Sequence, residues 1–403
     1  MPLTRRTTLL GLSAVLATGP VRLALADAPT DRRFIVVLLR GALDGMAAVV
    51  PYGDPSLRSL RAALVPPEPG GGRDSLLDLG GFFALHPALS GLHALYKQGE
   101  LLPVHAIAGP YRTRSHFEAQ DLMQTGATEA DTEITSGWLN RVLLELPRGA
   151  SAGGAAGSGL AVGIGMPLLL RGKAVVGSYA PAGFATPSPD LYHRIAALNA
   201  PDPILGPAIE EGLREQHFDA RTLAVNGAPR RALRLGYGFP ALATAAGKLL
   251  AAPAGPRIAA FQLEGWDTHG NQVFLLRPPL AGLDAGLVAL KTALGPAWGE
   301  SVVLVITEFG RTARINGTRG TDHGTATVAF LLGGAVAGGR VRATWPGLGA
   351  GKLFENRDLA PTADIRSLAK GALAAQFGLS APALARIFPD SATAEPMTGL
   401  LRA

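Results

Sequence analysis

The chain has no cysteine among its 403 residues. It forms no disulfide, carries no lipid on a thiol and offers no thiolate to a metal, so a metal site must come from Asp, Glu, His and hydroxyl groups. Charge is scarce too: Asp, Glu, Lys and Arg make up 17% of the chain against 47% hydrophobic residues, a balance that favours a folded core over disorder. The formal net charge of +6 is a weak guide to partners. Three of the 37 basic residues (Arg5, Arg6 and Arg22) precede the first acidic residue, Asp27, leaving 34 basic against 31 acidic residues beyond it. That remainder holds no basic run and no aromatic-flanked basic patch, so nucleic acid is not an expected partner.

Nucleotide fingerprints are missing as well. "GLGAGKL" at 347–353 is one residue short of a phosphate loop, and Leu353 stands where a metal-binding Ser or Thr is needed. "GIGMPL" at 163–168 lacks the third glycine and the acidic partner of a dinucleotide site. The apolar stretch from Leu9 to Gly19 falls short of the ~20 residues a membrane span needs, and no stable span is expected in the mature chain after it. With Arg5-Arg6 ahead of it and Ala24-Leu25-Ala26 behind, it resembles a twin-arginine export signal over residues 1–26. A general secretory signal or an uncleaved anchor is the other reading. Export by the twin-arginine machinery makes that apparatus a partner and the periplasm or the exterior the destination.

Residues 27–403 read as one α/β domain. "RFIVVLLRGALDG" (33–45) is a continuous apolar run ending in Gly and Asp, as a strand buried on both faces tends to be. Further strands are predicted at "LLPVHAIAG", Arg257–Leu263, Ser301–Thr307 and Thr327–Leu332. Helices are predicted at "LHPALSGLHALYKQGEL", Ser115–Gln124, Ser136–Leu146, most of 190–250, Leu280–Leu294 and, last, Ala363–Phe377. Pro66–Arg73 and Gly149–Gly159 read as loops. Alternating strands and helices imply a mostly parallel central sheet flanked by helices.

In such a sheet, ligands bind beyond the carboxyl ends of the strands. Asp44 follows the first strand, Asp267 and His269 follow the 257–263 strand, and Glu308 with Arg311 follows the 301–307 strand. Asp322 and His323 stand just before the 327–332 strand. Carboxylates with neutral imidazoles suit a divalent ion such as zinc, manganese or calcium. Each also has a plain structural use: Asp44 and Asp267 as turn caps, His269 on a carbonyl, Glu308 paired with Arg311. In "GPYRTRSHFEAQ", Ser115 and Glu118 fit a capping box. The same helix start can hold an anion, with Arg112 and Arg114 adding charge-assisted bonds and Ser115 or Thr113 supplying a nucleophile. His116 joins the site or packs.

The motifs "LRGALDG", "LHPAL", "RTRSHFEAQ", "SGWLNR", "GWDTHGNQ", "TEFGRTARING", "GTDHGTA" and "RDLAPTADIR" occur in this order between Leu39 and Arg366, within a match that runs from about Arg33 to Phe388. As a set they resemble the exported family known as domain of unknown function 1501, which is in turn similar to the alkaline phosphatase and sulfatase superfamily. That resemblance implies an alkaline-phosphatase-like three-layer sandwich and a metal-dependent hydrolase acting on a small anionic phosphate or sulfate ester. It implies Asp44, Asp267, His269, Glu308, Asp322 and His323 as metal ligands and Ser115 as nucleophile, with Arg112, Arg114 and Arg311 on the anion. Two departures stand out. Asp267 and His269 are closer than the superfamily's D-x-x-x-H, and Phe309 replaces a histidine ligand, so one metal site is lost or is rebuilt with a residue such as His116. A non-catalytic envelope scaffold is the rival reading, and an exported oxidoreductase has no cofactor signature to support it.

Overall fold

The structure is a computed structural model that describes residues 21–22, 30–129, 134–146, 159–163, 165–179 and 238–402. Its strands are β1 (Val21–Arg22), β2 (Arg33–Leu39), β3 (Val49–Val50), β4 (Leu77–Asp78), β5 (Ala84–Leu85), β6 (Leu101–Ala108), β7 (Gly159–Val162), β8 (Val176–Tyr179), β9 (Ile258–Leu263), β10 (Ser301–Thr307), β11 (Thr327–Leu332) and β12 (Ala363–Asp364). The helices are α1 (Gly45–Ala48), α2 (Leu57–Arg61), α3 (Ser90–Lys97), α4 (His116–Thr125), α5 (Trp138–Glu145), α6 (Gly238–Ala251), α7 (Gln272–Leu294), α8 (Ile365–Phe377) and α9 (Ala381–Ile387).

Nine strands form one sheet in the order β1-β8-β7-β9-β2-β10-β11-β6-β12. The pairings from β8 to β10 are all parallel, β11 runs antiparallel to both its neighbours, and β1 is antiparallel to β8. β2 lies in the middle, pairing with β9 on one side and β10 on the other. Its side chains alternate between two cores. Ile35, Val37 and Leu39 face a layer built from α3, α6 and α7, while Phe34, Val36 and Leu38 face α5, α8 and α9. A strand buried on both faces has no polar side to show, which is why it reads as an unbroken apolar run. The result is a three-layer α/β/α plan around a mostly parallel sheet.

β10 and β11 have the predicted bounds, and α5 and α8 lie within theirs. Three differences have physical causes. α7 begins at Gln272, eight residues ahead of the predicted start, and runs through Pro278 and Pro279. Proline cannot donate to the carbonyl four residues back, and here those carbonyls belong to Phe274 and Leu275, which are 76% and 55% exposed, so water can take their place. α9 follows the helix expected to be last, started by Pro382 and capped by Ser380, whose hydroxyl accepts from the Ala383 N–H. β7 and β8, four residues each, are too short to show a pattern in the sequence. The export segment lies outside the described residues except for Val21–Arg22, as do 149–158 of the Gly-rich loop and 190–237 of the expected helical middle.

Among the described residues, the one helical stretch long and apolar enough to cross a membrane is Gln272–Glu300. Its row of Leu276, Leu280, Leu283, Leu287, Leu290 and Leu294 is at most 3% exposed and packs in the core of this domain.

Candidate metal centre

The antiparallel course of β11 decides where the site forms. β2, β9 and β10 point their carboxyl ends to one edge of the sheet, and β11, running the other way, starts at that edge. Residues just before β11 therefore meet residues just after the other three. Glycine lets these loops approach: a Cβ on Gly310 would lie 1.9 Å from the Ala326 carbonyl oxygen, and one on Gly320 would lie 2.3 Å from the His269 carbonyl.

Arg311 ties the loops together. It is fully buried and donates to the carbonyls of Gly41 and Ala42 at 2.9 Å, Thr321 at 3.1 Å and Trp266 at 3.3 Å, as well as to Asp267 Oδ1. Burial alone would push the Asp267 carboxyl up, but the Arg311 hydrogen bond and charge, with His269 and His323 nearby, hold it below the ordinary carboxylate range. Asp267 is ionised at neutral pH and keeps a half-exposed carboxylate facing solvent.

Three imidazoles converge beside it. His116, the first residue of α4, has Nδ1 2.8 Å from Glu308 Oε1, and His323 has Nδ1 3.0 Å from the Arg114 carbonyl oxygen. Both partners only accept, so each Nδ1 carries the proton and each Nε2 carries a lone pair. Those two Nε2 atoms lie 3.0 Å apart, and His269 Nε2 is 3.0 Å from His323 Nε2 and 3.0 Å from Asp267 Oδ1. Facing lone pairs at that distance repel unless a proton or a cation lies among them. Burial, with His116 beside it, holds the His323 pKa below its ordinary value, which disfavours the proton. His116, Asp267 and His323 offer ligand atoms all within 4.8 Å of one another, a group able to hold a metal ion.

The surroundings fit that use. Histidine ligands commonly donate their other ring N–H to a carboxylate or carbonyl, which fixes tautomer and orientation. Glu308 serves His116, the Arg114 carbonyl serves His323, and Asp322 Oδ1 lies 3.4 Å from His269 Nδ1. Asp322 is itself held by Asn316 at 3.0 Å, and this hydrogen bond is the main cause of its lowered pKa. Phe309 stacks on His116 with ring centroids 4.9 Å apart, so the position after Glu308 supports an imidazole instead of supplying one.

Glu308 is 4% exposed and sits behind His116, its oxygens taking bonds from the Gly41 N–H (2.9 Å), Gln120 (2.9 Å) and Thr307 (2.7 Å) in addition to the imidazole. Burial pushes its carboxyl up, and the His116 and Gln120 hydrogen bonds bring it below the ordinary value. Asp44 lies apart from the cluster: it caps α1 and its carboxylate is held by Arg61 at 2.9 Å and Gln272 at 2.6 Å. Arg112 donates to the carbonyls of Gly109 and Tyr111 in its own loop. Arg114, at a left-handed φ of 64°, pairs with Asp358 (2.9 Å) and Glu355. Ser115 occupies the N-cap of α4 but makes no capping bond, and Glu118 accepts from Tyr111 instead, so the expected capping box does not form.

Sequence reasoning passed over Gln120 and Asp358. His116 and Gln120 are four apart, hence on one helix face, and both reach Glu308; that spacing was the available signal. Asp358 is fully buried between Arg114, Arg357 and Thr325 and leaves no local trace in the sequence. Glu308→Gln is expected to weaken metal binding about 10–100-fold by loosening His116, the usual loss when such an orienting group is removed. Titrating metal into the variant checks this; full loss of binding would mean that Glu308 is a ligand.

Several solved structures are similar to this chain at low identity. Ps i-CgsB, solved in complex with k-i-k-neocarrahexaose, matches at 10% identity and a TM-score of 0.43, covering 91% of this chain and 77% of that one. The C-terminal periplasmic domain of EcEptC from Escherichia coli, in complex with Zn, matches at 11% identity and a TM-score of 0.36, with 78% and 76% covered. A protein in the alkaline phosphatase superfamily from Vibrio parahaemolyticus matches at 12% identity and a TM-score of 0.33, with 82% and 69% covered. No curated protein sequence matches the chain. Residues 202–388, which include Asp267, His269, Glu308, Arg311 and His323, match the family described as "Protein of unknown function (DUF1501)", to which this part of the chain is similar.

Proposed function

We propose that the protein is an exported, metal-dependent hydrolase of phosphate or sulfate esters. The observation that carries this reading is the convergence of three histidine Nε2 atoms on the ionised Asp267, an arrangement able to hold a cation. Asp267, His116 and His323 would hold the ion, with His269 as a fourth donor. A divalent ion bound there would act as a Lewis acid on an ester oxygen and lower the pKa of a hydroxyl or water.

The chain's own groups do the rest. Glu308 and the Arg114 carbonyl keep the imidazole protons on Nδ1, leaving Nε2 free. The uncapped start of α4 presents backbone N–H groups and a partial positive charge where an anionic ester would sit. The Ser115 hydroxyl, not used as a cap, stands one residue from His116 and is the proposed nucleophile.

The test is turnover of p-nitrophenyl phosphate, bis-p-nitrophenyl phosphate and p-nitrophenyl sulfate by protein loaded in turn with zinc, manganese and calcium. Ser115→Ala should retain the metal and lose about 10²-fold or more in kcat, with little change in stability because no capping bond is lost. Full turnover in that variant would remove Ser115 from the chemistry.

One observation favours a second reading, a metal-bearing scaffold without turnover. Arg114 and Arg311 spend their guanidinium groups on protein carboxylates, so of the three only Arg112, held through Nη1 by two carbonyls of its own loop, keeps an unpaired charge for a substrate anion. Metal retained with no turnover of any of the three esters would favour it.

A further inference from the structure

On the other side of the α7 N-terminus lies a cleft of about 330 Å³, walled by the segment after α2, by His86 and Pro87 after β5, and by the first two turns of α7. Its volume is at the lower end of small-molecule sites, about 300–1,000 Å³, and such sites combine apolar walls with a few placed polar groups. Here the walls include Leu64, Pro66, Pro67, Phe274 and Leu276.

His86 supplies the polar group. It is 9% exposed, and its Nδ1 accepts the Ala88 N–H at 3.1 Å, so the proton is on Nε2. No described residue accepts from that Nε2–H, although His86 lines the cleft. Burial, aided by the charge of Arg277, lowers its pKa to about 4, so at neutral pH it is an uncharged donor. The other polar lining groups are already used. Gln272 turns its amide to Asp44, Thr268 and Thr321, while Arg277 and Asp74 pair with each other at 2.7 Å. The cleft thus offers hydrocarbon surface, one neutral donor and no uncompensated charge.

We infer that this cleft binds a neutral acyl compound, an ester or amide, whose carbonyl oxygen accepts from His86 Nε2–H while its chain lies along the Leu64, Pro66 and Phe274 wall. The absence of a free charge selects a neutral ligand over a fatty acid or phosphate. The unpaired donor selects a carbonyl over a plain alkane, because a polar group that loses water on binding without gaining a partner costs affinity. This inference is independent of the metal centre.

The probe is methyl octanoate, titrated into the full chain with calorimetry and with the His86 ring signals followed by NMR. The expected result is saturable binding that shifts those signals, is abolished by Val65→Trp, which fills the cleft, and is weakened about five- to tenfold by His86→Phe, the value of one hydrogen bond. Sodium octanoate should bind at least about fivefold more weakly, since Arg277 is already paired. Asp267→Ala should bind the ester unchanged, which separates this result from the fate of the metal centre. No saturation up to the solubility limit, undiminished binding in a folded Val65→Trp, or tighter binding of octanoate would each overturn the assignment.

Discussion

His323→Ala is expected to remove bound metal while leaving the protein folded. Zinc sites bind with about 10–16 kcal/mol of free energy, so one of four donors accounts for roughly 3–4 kcal/mol, two to three orders of magnitude in affinity. Asp267→Ala should do the same and has a further effect: it leaves the Arg311 guanidinium, fully buried among four carbonyls, without its carboxylate. Some loss of stability is therefore expected in Asp267→Ala that His323→Ala, only part-buried, does not share. Elemental analysis beside a thermal melt reads both. His116→Ala discriminates most sharply, because its position was first legible as a helix start. If that variant kept the ion at wild-type affinity, the three-imidazole centre would be wrong, whatever the other two did.

A large loss of stability in mild acid is the second expectation. His105 is completely buried: its Nε2–H donates to the Val49 carbonyl at 2.9 Å and its Nδ1 accepts the Ala106 N–H at 2.8 Å. A second ring proton would meet that N–H, and burial, only partly countered by the Val49 carbonyl and Asp44, lowers the pKa from 6.5 to about 4. His86 is lowered to about 4 as well. Above pH 6.5 both rings are neutral folded or unfolded, and neither affects stability. Between 6.5 and 4 the unfolded chain takes up protons that the native state refuses, so stability falls with pH. The loss is about 1.4 kcal/mol per unit per histidine, or roughly 3 kcal/mol each at pH 4. His323 shifts in the same direction and adds to it. The lowered carboxylates act at the foot of this window and below it: the Glu308 contribution is lost as pH falls past 4.5, and those of Asp267 and Asp322 as it falls past 3.8. Urea unfolding at pH 7.5, 5.5 and 4.5 measures the slope, and His105→Phe should flatten it by nearly half. A flat profile from pH 7 to 5 in the wild type would contradict the burial of both rings.

The fold was readable where burial is two-sided. β2, β10 and β11 are unbroken apolar runs because both faces are covered, and no local competitor disguises them. α7 starts ahead of its predicted bound because its proline pair removes only two bonds, whose carbonyls belong to the exposed Phe274 and Leu275. At the site, Asp267, His269 and His323 were visible as polar residues beside strand ends. Asp44 carried the same signature, yet its partners Arg61 and Gln272 come from 17 and 228 residues away. His116 was legible as a residue that joins the site or packs, and the sequence left that choice open because the capping pattern of Ser115 and Glu118, which the fold does not use, explains the same helix start. The role of Glu308 behind an imidazole required knowing that α4 crosses the end of β10.

The central place of β2 also bears on how the chain reaches its native state. Residues 33–39 pair only with 258–263 and 301–307, so this apolar strand emerges from the ribosome more than 200 residues before either neighbour exists. Until Thr307 is made, no native sheet can enclose it. Pairing at that separation is intrinsically slow and leaves a sticky edge exposed in the meantime. The protein should therefore fold late, nearly all at once, and depend on chaperones that shield its first hundred residues during synthesis.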